Sequence, residues 1–542
     1  MLNTTERLTC LALLGLTSTL TGQDLPPDLL HDRLPTGAPD DSVVTDVADS
    51  RDVVLADFDL DGHLDALVAN LSQDNALYWG DGTGQFTKQL SGDIVNDRGD
   101  SRGLAVADID MDGDLDVYVA NSLGQQNLLY INQTIEGAPR SFLKITNDPS
   151  VLSPSHSRQA AFADVDGDGD QDLFVTNWMG ANDQLFLNLT KDPGQVTPPY
   201  FVEATPAQAG DAVTDGAYSF GVGFADIDGD LDQDLFVSFH SGLFQGPKVK
   251  SALYTNDGTG KFTRVTTGDA ANTLGNSLAV AFGDYDGDGD PDLFVGRVRG
   301  EKNSLYRNDG GNFTSMGIPR LTSDRGETID ADLCDVDDDG DIDLLCANRR
   351  GQPNLLYLNQ GKGVFREQAF GPITEDYTEA YAFAVGDINS DLTFDIFLAN
   401  LMETNIVYRN FGRQWRDLGG GIDGIGGLPR MGSSGNLLPD EKITLDGRYC
   451  KPNTMAMLVV SPIIAPIPFM GIPIIPEVSP TLSNVFFTST DALGDFEFDG
   501  RMPPGVPPLT QLFLQTVILD DAGMPGTAFT VSATNALSAT TP

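Results

Sequence analysis

Residues 163–177 read ADVDGDGDQDLFVTN, with Asp164, Asp166, Asp168, Asp170 and Asp172 at every second position before the chain turns apolar. Carboxylates packed this closely raise one another's cost of ionisation, so the stretch calls for a compensating partner. The pattern recurs. Its first aspartate falls at Asp57, Asp108, Asp164, Asp226, Asp284, Asp335 and Asp387, at steps of 51, 56, 62, 58, 51 and 52 residues. Seven copies at this period mark a repeat architecture, in which one supersecondary unit stacks on its neighbours.

Each unit has the same grammar. A short apolar run such as GLAVAD (103–108) leads in, the acidic turn follows, and then a strand such as DLFVTN (172–177). After a variable loop comes a second apolar segment, as in NLLYIN (127–132), SALYTN (251–256) or NLLYLN (354–359). Several copies end on a Gly-rich turn and an aromatic, as in DGTGKF (257–262). β-Branched and aromatic runs between Gly, Asn and Asp turns read as strands. Four strands per unit predict an all-β chain, with a seven-bladed β-propeller over 40–416 closed around a central channel. A Gly-rich linker (417–430) then leads to strand-like runs such as QLFLQTVILD (511–520), read as a small C-terminal β-sandwich over 431–542.

The combination A-D-x-D-x-D-G-x-x-D-L, with L-Y-x-N and G-x-F further on, resembles the FG-GAP (VCBS) repeat; Phe220-Gly221 and Phe282-Gly283 echo its name. The resemblance covers roughly residues 45–415. It implies the propeller of the integrin alpha-subunit head and of many secreted bacterial proteins, some of which carry a sandwich-like tail.

Within each nine-residue turn, carboxylates at positions 1, 3, 5 and 9 can converge on one point, with the carbonyl of position 7 completing the set. Oxygen-only donors at this density favour Ca²⁺ over Mg²⁺. Glycine at position 6 permits the sharp bend. The candidate ligands are Asp57, Asp59, Asp61 and Asp65; Asp108, Asp110, Asp112 and Asp116; Asp164, Asp166, Asp168 and Asp172; and Asp226, Asp228, Asp230 and Asp234. They continue with Asp284, Asp286, Asp288 and Asp292, with Asp335, Asp337, Asp339 and Asp343, and with Asp387, Asn389, Asp391 and Asp395. Turn four has Leu231 at position 6, and turn seven has Asn389 and Leu392 at positions 3 and 6, so turn seven is expected to bind weakly. His63, at position 7 of turn one, is expected to be exposed. About five to seven Ca²⁺ per chain are expected, held structurally.

Composition agrees. Lys and Arg number 32 against 79 Asp and Glu, a formal net charge of −47, which disfavours nucleic acid and anionic membranes as partners. The seven turns alone hold 33 of the acidic residues. Residues 1–22 read as a secretory signal peptide, which implies a secreted, extracellular or cell-surface protein. The most apolar later stretch, 458–476, carries five prolines and is not a membrane-spanning helix. Cys334 and Cys346 flank turn six and sit diagonally across a hairpin, where a disulfide is conceivable.

Loops on the face opposite the acidic turns are the place for a ligand. Lys248, Lys250, Arg297, Arg299, Lys302, Arg349 and Arg350 fall in three consecutive loops, a basic sector with Trp178 as a stacking platform. An anion-binding surface is the expectation there. No GxSxG, Walker loop or HExxH occurs, and no catalytic residue can be named. The reading is a calcium-binding propeller that acts as a binding or adhesion module for an extracellular glycan or protein, and not an enzyme. The alternatives are a calcium-dependent polysaccharide lyase or glycoside hydrolase on the same scaffold, or a purely structural surface component.

Overall fold

The computed structural model describes residues 46–410 with their side chains, apart from 135–139, 191–197, 243–247, 319–320, 323–325, 338, 369–370 and 391–392. It also describes Val43, the backbone of His31–Arg33, and ten strands between 415 and 540 by their backbone alone. The predicted signal peptide (1–22) lies outside the described residues, as do Asp391 and Leu392 of turn seven.

Every unit is an antiparallel meander. In the third, strands Ser157–Ala163, Asp172–Asn177, Gln184–Asn188 and Phe201–Glu203 pair in sequence order, with Ala163 opposite Asp172, Leu173 opposite Phe186 and Asn188 opposite Phe201. The first hairpin closes identically throughout. Position 9 of each acidic turn faces the residue just before position 1, as in Ala56–Asp65, Ala107–Asp116, Gly283–Asp292 and Gly386–Asp395. The first strand of every unit also carries a register shift at one place, beginning at Ser50, Ser101, Ser157, Ser219, Ser277, Thr328 and Ala380. Such bulges twist a strand and re-aim its side chains.

The first strands, Val47–Ala56, Gly99–Ala107, Ser157–Ala163, Ser219–Ala225, Ser277–Gly283, Thr328–Cys334 and Ala380–Gly386, touch one another in that order, and the last touches the first. Strand Asp395–Thr404 of the last unit pairs with the start of the first, Thr404 opposite Val47 and Leu401 opposite Asp49. The sheets therefore form the blades of a closed β-propeller, and their inner strands bound a cavity on its axis. Cores lie between neighbouring blades: Leu129 and Ile131 of blade two pack with Leu173, Val175 and Phe186 of blade three. A single sheet cannot bury both faces, so the ring supplies what one repeat lacks.

Residues 410–542 form a separate compact unit. Its strands make one five-stranded antiparallel sheet, ordered Trp415–Gly419, Thr530–Thr540, Gln511–Asp520, Met455–Ser461, Val485–Ser489, one three-stranded sheet, ordered Arg430–Ser434, Lys442–Arg448, Phe496–Arg501, and one two-stranded sheet of Ile464–Phe469 and Ile472–Pro476. Trp415–Gly419 pairs with the last strand, so residues 417–419 of the expected linker are part of a sheet. Cys346 faces Ala331 and Cys334 faces Asp343; both thiols are free, and no disulfide links them. Among the described residues no helix is long and apolar enough to cross a membrane.

Candidate metal centres in the acidic turns

The aspartates of each turn divide their labour. In turn two, Asp108 accepts hydrogen bonds from the backbone N–H groups of Asp112 and Gly113, both at 3.0 Å, and so folds the turn around itself. Asp112 accepts the N–H of Asp114. Asp116, fully buried, accepts from Ile109 N at 2.8 Å with one oxygen and from Asn132 N at 2.7 Å with the other. The same double clamp recurs at Asp65, Asp172, Asp234, Asp292 and Asp343. Position 9 thus ties the turn to the third strand.

The asparagine of L-Y-x-N supplies the matching link between blades. Asn132 donates its side-chain amide to Phe58 O of the preceding blade's turn and to Leu115 O of its own. Asn188, Asn256, Asn308 and Asn359 make the equivalent pair. The Gly-rich turns of blades one, four, five and six pack on the same neighbour. Gly260 donates its N–H to Val165 O at 2.8 Å, and a Cβ there would stand 3.3 Å from the Val165 side chain. The motif's asparagine and glycines therefore belong to the blade seam.

Position 3 behaves differently. Asp110 is fully buried, and neither of its carboxylate oxygens has a hydrogen-bond partner; one oxygen each of Asp166 and Asp286 is in the same state. A buried carboxylate without a partner is costly, and the ordinary remedies are a proton or a cation. Its neighbours stand ready. One oxygen from each of Asp108, Asp110 and Asp116 lies within 4.8 Å of the others, as do those of Asp164, Asp166, Asp172 and of Asp284, Asp286, Asp292. Asp57, Asp59, Asp61 and Asp226, Asp228, Asp230 cluster likewise. The donor set is all oxygen, which fits a hard divalent cation. Burial pushes Asp110 up to about 6, Asp65, Asp172 and Asp292 up to about 7, Asp343 up to about 8 and Asp116 up to about 9.

Turn one carries a cation of its own. The Arg140 guanidinium stacks over the Trp79 ring and lies against the carboxylate of Asp59, with Asp61 at 3.8 Å. In turn five Arg307 reaches only to 4.0 Å from Asp286. His63, expected to be exposed, is half-buried, its ring beneath Gly82 and 3.4 Å from Ser390 Oγ.

Backbone conformation extends the role given to glycine at position 6. Position 4 is left-handed as well, and Leu60, Met111 and Ser390 adopt it beside Gly167, Gly229 and Gly287. At position 6 of turn four Leu231 holds φ 76° with its side chain 87% exposed, so it bears left-handed strain without packing in return. Leu231→Gly is expected to stabilise the protein by about 0.5–1 kcal/mol, the strain relieved less the chain entropy glycine adds. A urea denaturation midpoint that falls in this variant would contradict that.

The basic sector is largely engaged internally. Glu327, buried, holds Arg349 at 3.2 Å and Arg350 at 3.0 Å. Lys248 pairs with Glu301, and Lys250 donates to Asn272. Arg297 donates to Lys302 O, and Arg299 to Ser241 Oγ and Gly242 O. Trp178 is 5% exposed, packed edge-on to Tyr218 and Phe220 and covered by Arg158, so it offers no open stacking face. Sequence reading missed the arginines on the ring axis, Arg51, Arg102 and Arg158. The available signal was their common place, six residues before the first aspartate of their turns.

The FG-GAP-like repeat family matches residues 57–119, 243–295, 284–346 and 335–398, segments that hold turns one, two, five, six and seven. The chain is 29% identical over 316 residues to cartilage acidic protein 1 of Mus musculus and 29% over 326 residues to that of Homo sapiens, in each case across 50% of this chain and 45% of the relative. It thus spans less than half the length of these curated relatives. Among solved structures it is similar to the Dos1 propeller (TM-score 0.42, 9% identity, 71% of this chain and 96% of that one) and to YCF48 from Cyanidioschyzon merolae (TM-score 0.38, 10% identity, 71% and 99%). These structural likenesses are too distant to carry an argument, and the fold rests on the closed ring itself. By the family match, in line with its repeated turns and blade seams, the chain carries FG-GAP-like repeats across residues 57–119 and 243–398.

Proposed function

We propose that this protein is an extracellular binding or adhesion module whose propeller is held together by Ca²⁺ in its acidic turns. The observation that carries the metal is the partnerless carboxylate at position 3, buried among two further carboxylates that already brace the turn. A cation there would cross-link the two strands that the turn joins, as metal binding does wherever ligands repel one another in its absence. Turns two, three and five are the strongest sites, because their position-3 oxygens are buried without a partner. Turn one is weaker, because Arg140 already answers Asp59. Turn seven is weaker still, with Asn389 in place of an aspartate.

The binding role rests on the scaffold and on kinship with cartilage acidic proteins, whose name shares this chain's acidity. An extracellular glycan or protein remains the partner class. Equilibrium dialysis against Ca²⁺ and Mg²⁺ tests the metal reading. The expected result is about five ions per chain with Ca²⁺ preferred, and fewer after Asp166→Asn and Asp286→Asn. A stoichiometry below one, or a preference for Mg²⁺, would remove the basis of the proposal.

A further inference from the structure

Aligning the blades on their first aspartate places one side chain per blade in a layer around the ring axis, just at the bulge of each inner strand. Blades seven, one, two and three supply Tyr381, Arg51, Arg102 and Arg158; blades four, five and six supply Phe220, Leu278 and Ile329. Together they line a cavity of about 90 Å³ with a cationic half and an apolar half. Three guanidiniums gathered at the axis of a chain of net charge −47 are not a solvated surface.

Their internal partners do not account for them. Arg51 pairs with Asp49 at 2.6 Å and lies over the Tyr381 ring at 4.5 Å. Arg158 is stacked 4.5 Å from the ring centres of both Trp178 and Phe220, which fixes its guanidinium plane. Arg102 has no ion pair among the described residues and, like Arg158, hydrogen-bonds the Tyr381 side chain; the Nε–H groups of Arg102 and Arg158 are buried without an acceptor. Two carboxylates of the next layer, Asp52 and Asp330, also line the cavity, but the strands engage them. Asp52 accepts from Val53 N, Leu104 N and the Gln159 side chain, and Asp330 from Ala331 N and Phe383 N.

We propose that this axial cavity binds a small amphipathic carboxylate, its anionic end held by Arg102, Arg158 and the Tyr381 hydroxyl and its short apolar part against Phe220, Leu278 and Ile329. Guanidinium forks suit a carboxylate, and stacking leaves their N–H edges free to donate. The volume admits a ligand of a few heavy atoms and excludes a sugar chain. The site is distinct from the acidic turns and rests on no metal.

Tyr381 provides a built-in reporter. Burial pushes its phenol up, yet Arg51, Arg158 and Arg102 together bring it down to about 8. The other charges near it are Asp49, bound to Arg51, and the buried Asp52 and Asp330. A bound anion neutralises the arginines, so it raises the phenol's pKa. Conversely, once Tyr381 ionises, its phenolate competes for the same guanidiniums and affinity falls as pH rises through about 8.

The test is calorimetric titration of the calcium-loaded full chain with butyrate, with the neutral isostere butyramide and with sulfate, at pH 7 and pH 9. The expected result is saturable binding of one butyrate, none of butyramide, weaker binding of sulfate, and weaker butyrate binding at pH 9. Arg102→Gln is expected to weaken butyrate at least tenfold, about 1.4 kcal/mol, and Tyr381→Phe to reduce the pH dependence to the part that comes from Asp52 and Asp330, both raised by burial to about 7. Should the Arg102 variant fail to fold, tyrosinate absorbance of the wild type still decides. One tyrosine should ionise near pH 8 and move upward with butyrate but not with butyramide. Absence of saturable butyrate binding overturns the proposal, as does equal affinity for butyramide or sulfate, or a tyrosine titration that butyrate leaves unmoved.

Discussion

Restoring Ca²⁺ to the metal-stripped protein at pH 8 is expected to raise its melting temperature by about 10–20 °C. A ligand bound only by the folded state contributes about 2.7 kcal/mol per site at a hundredfold excess over Kd. At least five turns bring carboxylates together, and the unfolding entropy of a domain this size is about 0.8 kcal/mol per kelvin. The pH dependence of the stripped protein makes the test sharper. Burial raises Asp110, Asp65, Asp172, Asp292, Asp343 and Asp116 to between about 6 and about 9. These groups hold protons in the folded state that the unfolded chain releases near pH 4. The stability they contribute is fully present below that value and is lost as pH rises through 6 to 9. The metal-free protein should therefore melt higher at pH 5 than at pH 8, and Ca²⁺ should reverse that order while it displaces protons. A metal-free melt that rises from pH 5 to pH 8, or one indifferent to Ca²⁺, would count against the turns as metal centres.

Two aspartates of one turn are expected to respond in opposite ways. Asp110 has buried oxygens without partners, so Asp110→Asn should stabilise the metal-free protein by about 1 kcal/mol, as removal of an unpaired buried charge does. The same change should abolish the calcium gain of turn two, about 2.7 kcal/mol at a hundredfold excess. Asp116 instead holds Ile109 N and Asn132 N. Asp116→Ala leaves two buried donors unpaired and should cost about 3 kcal/mol or more with or without metal. Urea denaturation of both variants in EDTA and in Ca²⁺ measures all four values. If Asp110→Asn proved as damaging as Asp116→Ala without metal, position 3 would be a structural clamp and not a ligand waiting for its ion.

The ring was legible because its causes are local and repeated. Alternating aspartates, the L-Y-x-N strand and the Gly-rich turn recur in register, and each copy writes the same hairpin in its own short stretch of chain. The separate roles of the aspartates were not legible. Positions 3 and 9 look alike in sequence, and in turn two only burial and the approach of the third strand's N–H make Asp116 a clamp and leave Asp110 without a partner.

The basic loops misled for a related reason. Arg349 and Arg350 read as a free cationic patch, but Glu327, more than twenty residues earlier, reaches both across the sheet. Trp178 read as a platform until Arg158, Tyr218 and Phe220 from other strands enclosed it. Residue types and their period thus determined by themselves the β-class, the repeat and the oxygen-rich turns, since hydrogen bonding and strand propensity act within a unit. Ring closure alone decided which charges meet. It sets Tyr381 beside Arg51, residues far apart in the chain, because seven inner strands converge on one axis and their bulges turn one side chain each toward it.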